Sequence, residues 1–562
     1  MKRHTFYLII LCVLSLTAQA QRMTDKLDRG LVAIKQPSGV YISWRIFGEE
    51  YYDVAYNLYR NGTKLNAIPL TTSNYTDATG TQQSTYTVAP ISQGKELEPC
   101  ASVPVWANPY IDIPMPTAYD RTGARVSNGD GGYILNDVSL GDVTGDGITE
   151  FIVKRNYSGS ELNTTGNTTR FHHYECIDLS GNRLWWIDLG PNMMAGPDEQ
   201  WDLVAYDWDE DGKAECILRG ADNMIIHTAT GKSITIGNMS YVAPRDQYTC
   251  NGAEYLLYLN GETGEPYAWD GTSDNFTPMA FPLPRFEAGE SDYGAIWGKA
   301  GDGGHRSSKF YFGAPVLDGR KASIFLARGC YTRHKMCALD VDPKTHALTQ
   351  RWRWNQYTGN EWFGQGFHNF GIADVDWDGR DEIVFGSMVI DDNGQGLSTT
   401  GLGHGDAQHC RDFDPYRHGQ EIFTCNESSP AMNYRNATTS KIYYRLQSTS
   451  DDGRALCGNF SNAYPGSMGR SVSSAMISSV ADKPIPELGD YIAWSDLNFR
   501  IFWDGDLLDE VLNSPGTERE AKIEKPGTGR LFTSSGCKMN NDSKNNPCAT
   551  GDILGDWREE IL

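Results

Sequence analysis

The stretch GIADVDWDGRDEIVFG (371–386) sets Asp374, Asp376 and Asp378 at alternate positions, adds Gly379 and Glu382, and runs into Ile383-Val384-Phe385. Alternating carboxylates followed by glycine suit a loop wrapped around a hard cation such as Ca²⁺, which takes oxygen ligands. The apolar run after the loop reads as a buried strand. An EF-hand would need helices on both sides, so this is a different calcium loop, set between strands.

The same order recurs along the chain. GDVTGDGITEFIV carries Asp142, Asp146 and Glu150, and YDWDEDGKAECIL carries Asp207, Asp209, Asp211 and Glu215. RDFDPYRHGQEIF is a degenerate copy with Asp412, Asp414 and Glu421, and GDILGDWREEIL ends the chain with Asp552, Asp556 and Glu560. In each copy the final acid opens the strand. One copy alone is equally well a surface turn rich in Asp and Gly, but a shared carboxylate frame favours several Ca²⁺ ions. Their first role is structural, since each holds a turn whose carboxylates would otherwise repel.

A second chemistry sits in MVIDDNGQGLSTTGLGHGDAQH (388–409), too long and glycine-rich for a plain hairpin turn. Gly401, Gly403 and Gly405 around His404 let the backbone approach closely and aim the imidazole, and Asp406 follows. His368, in GQGFHNFG, ends a similar loop one strand unit earlier, so both histidines are expected at one end of neighbouring sheets. A His-His-Asp set can bind a metal or a carboxylate, whereas either histidine alone is more often a packing residue. The chain has no G-x-S-x-G, H-E-x-x-H, P-loop or zinc-type cysteine cluster. Paired carboxylates for glycoside hydrolysis stay open, although most acids are committed to the repeated loops.

These residues need a β scaffold. Fifty-nine glycines, 29 tyrosines and 15 tryptophans, with few long helical patterns, favour an all-β class. Repeats at blade-sized or larger intervals suggest a β-propeller with long inserted loops, over residues 108–562. LSGNRLWWIDLG (179–190) reads as a further blade hairpin with its tryptophans packed between blades. Residues 21–107 alternate apolar and polar in short runs, with a hairpin turn at Asn61-Gly62 and Trp44 as a core residue. That stretch reads as a fibronectin III-like β-sandwich, and a proline-rich linker follows it.

A net charge of −23 argues against nucleic acid or a membrane surface as partner. The opening MKRHTFYLIILCVLSLTAQAQ is a secretory signal peptide, residues 1–20, cut near Ala20. No other segment is apolar enough to span a membrane. Eleven cysteines then remain of the 12, with Cys330–Cys337 and Cys537–Cys548 as candidate disulfides.

Taken together, these segments resemble polysaccharide lyase family 11, the bacterial rhamnogalacturonan lyases. The motifs are LDRGLVAIKQPSGVYISWRIFG and YNLYRNGTKL in the sandwich, then LARGCYTR, GIADVDWDGRDEIVFG, TTGLGHGDAQH, FWDGDLLDE and GDILGDWREEI. The resemblance implies a β-domain followed by an eight-bladed propeller. It also implies several calcium ions and calcium-dependent β-elimination of rhamnogalacturonan I, a pectic polysaccharide. The signal peptide places the protein in the periplasm, at the cell surface or outside the cell, and it is expected to be a monomer. His368, His404 and Asp406 would serve a calcium near the cleft. Arg454 and Lys544 would hold the galacturonate carboxylate, with Asn136, Asn156 and Arg328 as further substrate contacts. The proton-abstracting base stays open between Lys544 and a histidine.

The chain departs from the family pattern in several places. Asn156 stands where the family carries Asp, NDSK replaces Asn-Gly-Thr-Lys, and ALCGNFSNAYPGSMG after Arg454 lacks the acidic pattern. The chain ends at Leu562 in mid-blade where relatives continue, and the middle stretch 222–306 matches poorly. The rival readings are a non-catalytic calcium propeller that binds carbohydrate or mediates adhesion, and a lyase relative that has lost activity.

Overall fold

A computed structural model of the chain describes residues 28–47, 50–162, 166–193, 203–243, 252–485, 499–504, 506–514, 517–541, 545–554 and 558–562. The N-terminal segment read as a signal peptide lies outside them.

Alternation of apolar and polar residues builds two sheets first. Val32–Gln36, Gly39–Ser43 and Asn74–Asp77 form a three-stranded sheet. Ala55–Arg60 and Thr85–Ser92 centre a five-stranded one. Their inward faces share one core of Val40, Ile42, Trp44, Tyr56, Leu58, Tyr86 and Val88. Asn61 and Gly62 both take positive φ (50° and 77°), so Arg60 pairs with Thr63 across a tight hairpin, as their sequence demands. Trp44 is fully buried, as expected.

Among the described residues from Tyr133 onward, eight sheets follow in chain order. They begin with Tyr133–Gly141, Leu203–Tyr206, Phe310–Gly313, Gly371–Ala373, Gly405–Arg411, Ala455–Gly458, Phe499–Ile501 and Thr550–Gly551. Six of these sheets are four-stranded and antiparallel. First strands of successive sheets pack side by side, as 371–373 does on 405–411 and 405–411 on 455–458. The last sheet returns to the first, where the Val138 N–H donates to the Cys548 carbonyl at 3.0 Å. Second strands such as Ile324–Arg328, Glu382–Phe385 and Glu421–Asn426 are buried throughout because a sheet packs on either face.

The poorly matching middle stretch accounts for one irregularity. The hairpin Met224–His227/Ser233–Ile236 leaves the second sheet and joins the first, which becomes seven-stranded. Successive strand residues face opposite ways, so the two tryptophans of 183–188 divide their work. Trp185 is buried in the core shared between sheets, with its indole N–H on the Gly261 carbonyl, while Trp186 stacks on His227 of the added hairpin at 4.0 Å.

The disulfide expectation is corrected. All ten described cysteines are free thiols, including Cys330, Cys337, Cys537 and Cys548. Cys337 packs with Ile324 and Leu326 on one face of its sheet, and Cys330 with Phe325 and Ala327 on the other, so their sulfurs cannot meet. Among the described residues no helix is long and apolar enough to cross a membrane.

Candidate active site and cation loops

The strand-opening glutamates share one local device. Glu150, Glu215, Glu382, Glu421, Glu510 and Glu560 each accept the backbone N–H that starts their own loop, from Val143, Trp208, Val375, Phe413, Trp503 and Ile553, at 2.7–2.9 Å. One carboxylate oxygen thereby closes the turn, and in Glu382 and Glu421 the other is buried with no hydrogen-bond partner.

Two of the expected loops gather their acids. Asp207, Asp209, Asp211 and Glu215 bring ligand oxygens within 4.8 Å of one another. Asp374, Asp376 and Glu382 do the same, and Glu382 is shared with a second set that includes Asp391 and Asp392. Crowding and burial disfavour charge here. Burial above all, then Asp209, pushes Glu215 up to about 9, and burial with Asp376 and Asp378 pushes Glu382 up to about 8. Asp207 rises to about 6 and Glu150 to about 7, again first through burial. Buried Glu382 Oε1 and Asp374 Oδ1 have no hydrogen-bond partner. Crowded carboxylates with orphaned oxygens are the donor set a hard divalent cation satisfies, so these residues fit calcium.

The remaining loops gather less. Asp142 spends its oxygens on the N–H groups of Gly145, Asp146 and Gly147, and Asp142, Asp146 and Glu150 are not among the convergent sets. Neither are Asp412, Asp414 and Glu421, where Arg417 lies 3.2 Å from Asp414 and 3.4 Å from Asp482. Asp378 instead accepts the Arg380 N–H. Asp552 pairs with Arg45 of the N-terminal sheets at 3.1 Å, and Asp556 lies outside the described residues.

Sequence reasoning missed three ligand-type groups, Asp391, Asp392 and the set Asp504, Asp506 and Glu510. The spacing in FWDGDLLDE is that of the other loops and could have revealed the last. Asp391 belongs to a different hairpin and carries no such local signal.

The two histidines meet as expected. A parallel bridge joins Phe367 to Gly405, so the residues beside it, His368 and His404, face each other with ring centroids 5.0 Å apart. Glycine is required at 405, where a Cβ would fall 2.2 Å from the Cys425 carbonyl oxygen, and at 403, where φ is +85°. His404 Nδ1 lies 2.6 Å from the Gly366 carbonyl, so it carries the proton and Nε2 keeps its lone pair. Burial holds this imidazole below its usual pKa, and its Nε2 is buried with no hydrogen-bond partner. His368, His404 and Asp406 offer ligand atoms within 4.8 Å of one another, an arrangement that fits a cation. Tyr331, also missed in the sequence, puts its hydroxyl 3.2 Å from His368 Nε2 and its ring 4.5 Å from that of His404. Glu427 stands 3.6 Å from His404 Nε2.

Arg454 follows Gly453, whose missing Cβ would lie 3.0 Å from Asp406 Oδ2, so its turn abuts the cluster. Asn136 donates to Asn541, next to the Asn540–Asn546 bridge; Lys544 lies outside the described residues. Asn156 sits on the strand paired with that of Asn136, its Oδ1 buried without a partner. Arg328 has a structural post: it is fully buried and donates to Glu254, the Leu283 carbonyl and the Ser307 carbonyl.

Residues 110–562 match the C-terminal domain of rhamnogalacturonan lyase family 11, and residues 22–106 match the β-sheet domain of rhamnogalacturonan I lyases. The chain belongs to this lyase family. It is 37% identical over 549 residues to the rhamnogalacturonan endolyase YesW of Bacillus subtilis, covering 97% of this chain and 83% of the relative. It is 34% identical to the rhamnogalacturonan exolyase YesX of the same organism, over 96% of this chain and 87% of that one. A solved rhamnogalacturonan lyase of Bacillus licheniformis superposes with a TM-score of 0.82 at 34% identity, covering 97% of this chain and 88% of that one.

Proposed function

We propose that this chain is an exported, calcium-dependent rhamnogalacturonan lyase that cleaves the rhamnosyl-(1,4)-galacturonate bond of rhamnogalacturonan I by β-elimination, acting as a monomer. The observation that carries it is the convergence of His368, His404 and Asp406 beside the Arg454 turn, in a chain of this lyase family. The eight sheets are read as blades of a propeller, with this cluster at one end of two neighbouring blades.

Elimination removes the C5 proton of a galacturonate and expels the rhamnosyl oxygen from C4. The proton is poorly acidic because the adjacent carboxylate is ionised. A calcium ion bound at the histidine cluster would neutralise that carboxylate and favour the enediolate. Arg454 adds positive charge to the same group, and Asn136 and Asn156 line the sugar beside it. The base must stand within about 3 Å of C5. Lys544 and the histidines are the candidates; a Lys needs its pKa lowered by neighbouring cations, among which Arg454 counts. His404, fixed in one tautomer by Gly366, is suited to hold a ligand through Nε2.

The test is ultraviolet absorbance of the unsaturated product from rhamnogalacturonan I, with and without chelator. His404→Ala and Lys544→Ala are each expected to lower the rate at least about a hundredfold. Full rate in both variants refutes the site. No absorbance at all from the parent chain with calcium favours a carbohydrate-binding propeller or a lyase relative that has lost activity.

A further inference from the structure

The loop 502–510 repeats the acid frame of its relatives, yet a side chain of the protein stands at its centre. Lys525 Nζ lies 2.5 Å from Asp504 Oδ2, 2.7 Å from Asp506 Oδ2 and 3.0 Å from Glu510 Oε1. The Lys525 side chain is only 9% exposed and Glu510 is fully buried. An ammonium has three N–H donors, and here three carboxylates take them.

We infer that Lys525 is the resident cation of this loop, so that the protein itself fills a cage built on the calcium pattern and the loop takes up no metal. Its position follows from strand pairing. Val511 pairs with Glu524, and continuing that antiparallel register sets Lys525 opposite Glu510, the strand-opening acid. The loop turn keeps the family device, with Trp503 and Asp504 N–H groups on Glu510 Oε2. Burial works against the ammonium, but Asp504, Asp506 and Glu510 hold its proton more firmly than an ordinary lysine's. A divalent ion would have to displace this ammonium or share three carboxylates with it, and like-charge repulsion disfavours sharing. Arg417, against Asp414 and Asp482 in the degenerate loop, is a second protein cation beside an acid loop.

The inference rests on the calcium reading of the other loops, and one experiment separates the two. Crystals of the full chain soaked with terbium should show anomalous peaks at the 207–215 and 374–382 loops. No peak is expected within about 2.6 Å of the Asp504, Asp506 and Glu510 oxygens. A peak there as well overturns the inference alone, whereas no peak at any loop overturns the calcium reading and the inference with it. Lys525→Met, which keeps length and removes charge, should bind one more calcium per chain in equilibrium dialysis than the parent. Its thermal midpoint should fall in chelator and recover with calcium. An unchanged calcium count in a folded Lys525→Met protein also overturns the inference. If that variant folds only with calcium, the requirement supports it, and if it folds under neither condition the parent's anomalous map decides.

Discussion

The loop at 371–386 and the loop at 499–513 are built on one plan and solve its electrostatic problem in opposite ways. Both turn on a glutamate that accepts the N–H seven residues earlier, Val375 to Glu382 and Trp503 to Glu510. Both place further aspartates within 4.8 Å of it. The difference lies across the sheet. Ile383 pairs with Ile390, so the same register sets Asp391 opposite Glu382, where the later sheet has Lys525 opposite Glu510. One partner adds a carboxylate to the cage and the other neutralises it. On the calcium reading proposed above, these two loops would differ in their need for metal because of one residue on the next strand, Asp391 or Lys525.

Glu382→Ala should be the most damaging change, because it strips the acceptor from a buried N–H and removes the acid shared by two convergent sets. A loss of about 3 kcal/mol in urea unfolding with calcium present is expected. A loss no larger than that of an exposed acid would break the comparison.

The next largest effect is on the pH dependence of stability. Glu150, Glu215 and Glu382 have folded-state values of about 7, 9 and 8 against an ordinary 4.5. Raised carboxylate values mean stability that is complete below pH 4.5 and is lost as pH rises through the 7–9 range. In chelator the thermal midpoint should drop by about 5 °C from pH 6 to pH 9. Calcium should flatten or reverse the trend, since it binds the ionised form. A chelator profile that rises with pH would show that these carboxylates are not crowded.

Asp391→Lys would transplant the internal cation. It should lower the bound calcium count by one and raise stability in chelator by about 1 kcal/mol. The smallest effect is expected from Asp378→Asn, which keeps the acceptor for the Arg380 N–H and lies outside the convergent set. A change within about 0.5 kcal/mol and an unaltered calcium count would sharpen the division between ligands and bystanders in one motif.

Much of this was legible in the chain. Alternating acids, glycine and an apolar strand mark the loops because metal-type turns are local, with ligands a few residues apart. Gly403-His404-Gly405 announced its histidine because a backbone squeezed against Cys425 tolerates no side chain. Arg328 misled because an arginine in a distinctive motif looks alike whether it meets a ligand or a buried Glu254. Cys330 and Cys337 misled because sequence distance is blind to which face of a sheet each thiol occupies.

Sequence alone determined the all-β class, the repeated acid turns and the family, since each rests on residue order within a short window. Tertiary structure alone decided which turns gather their acids, which hold a protein cation, and that His368 and His404 meet. Those outcomes depend on cross-strand register, which brings together residues that local chain chemistry leaves unrelated.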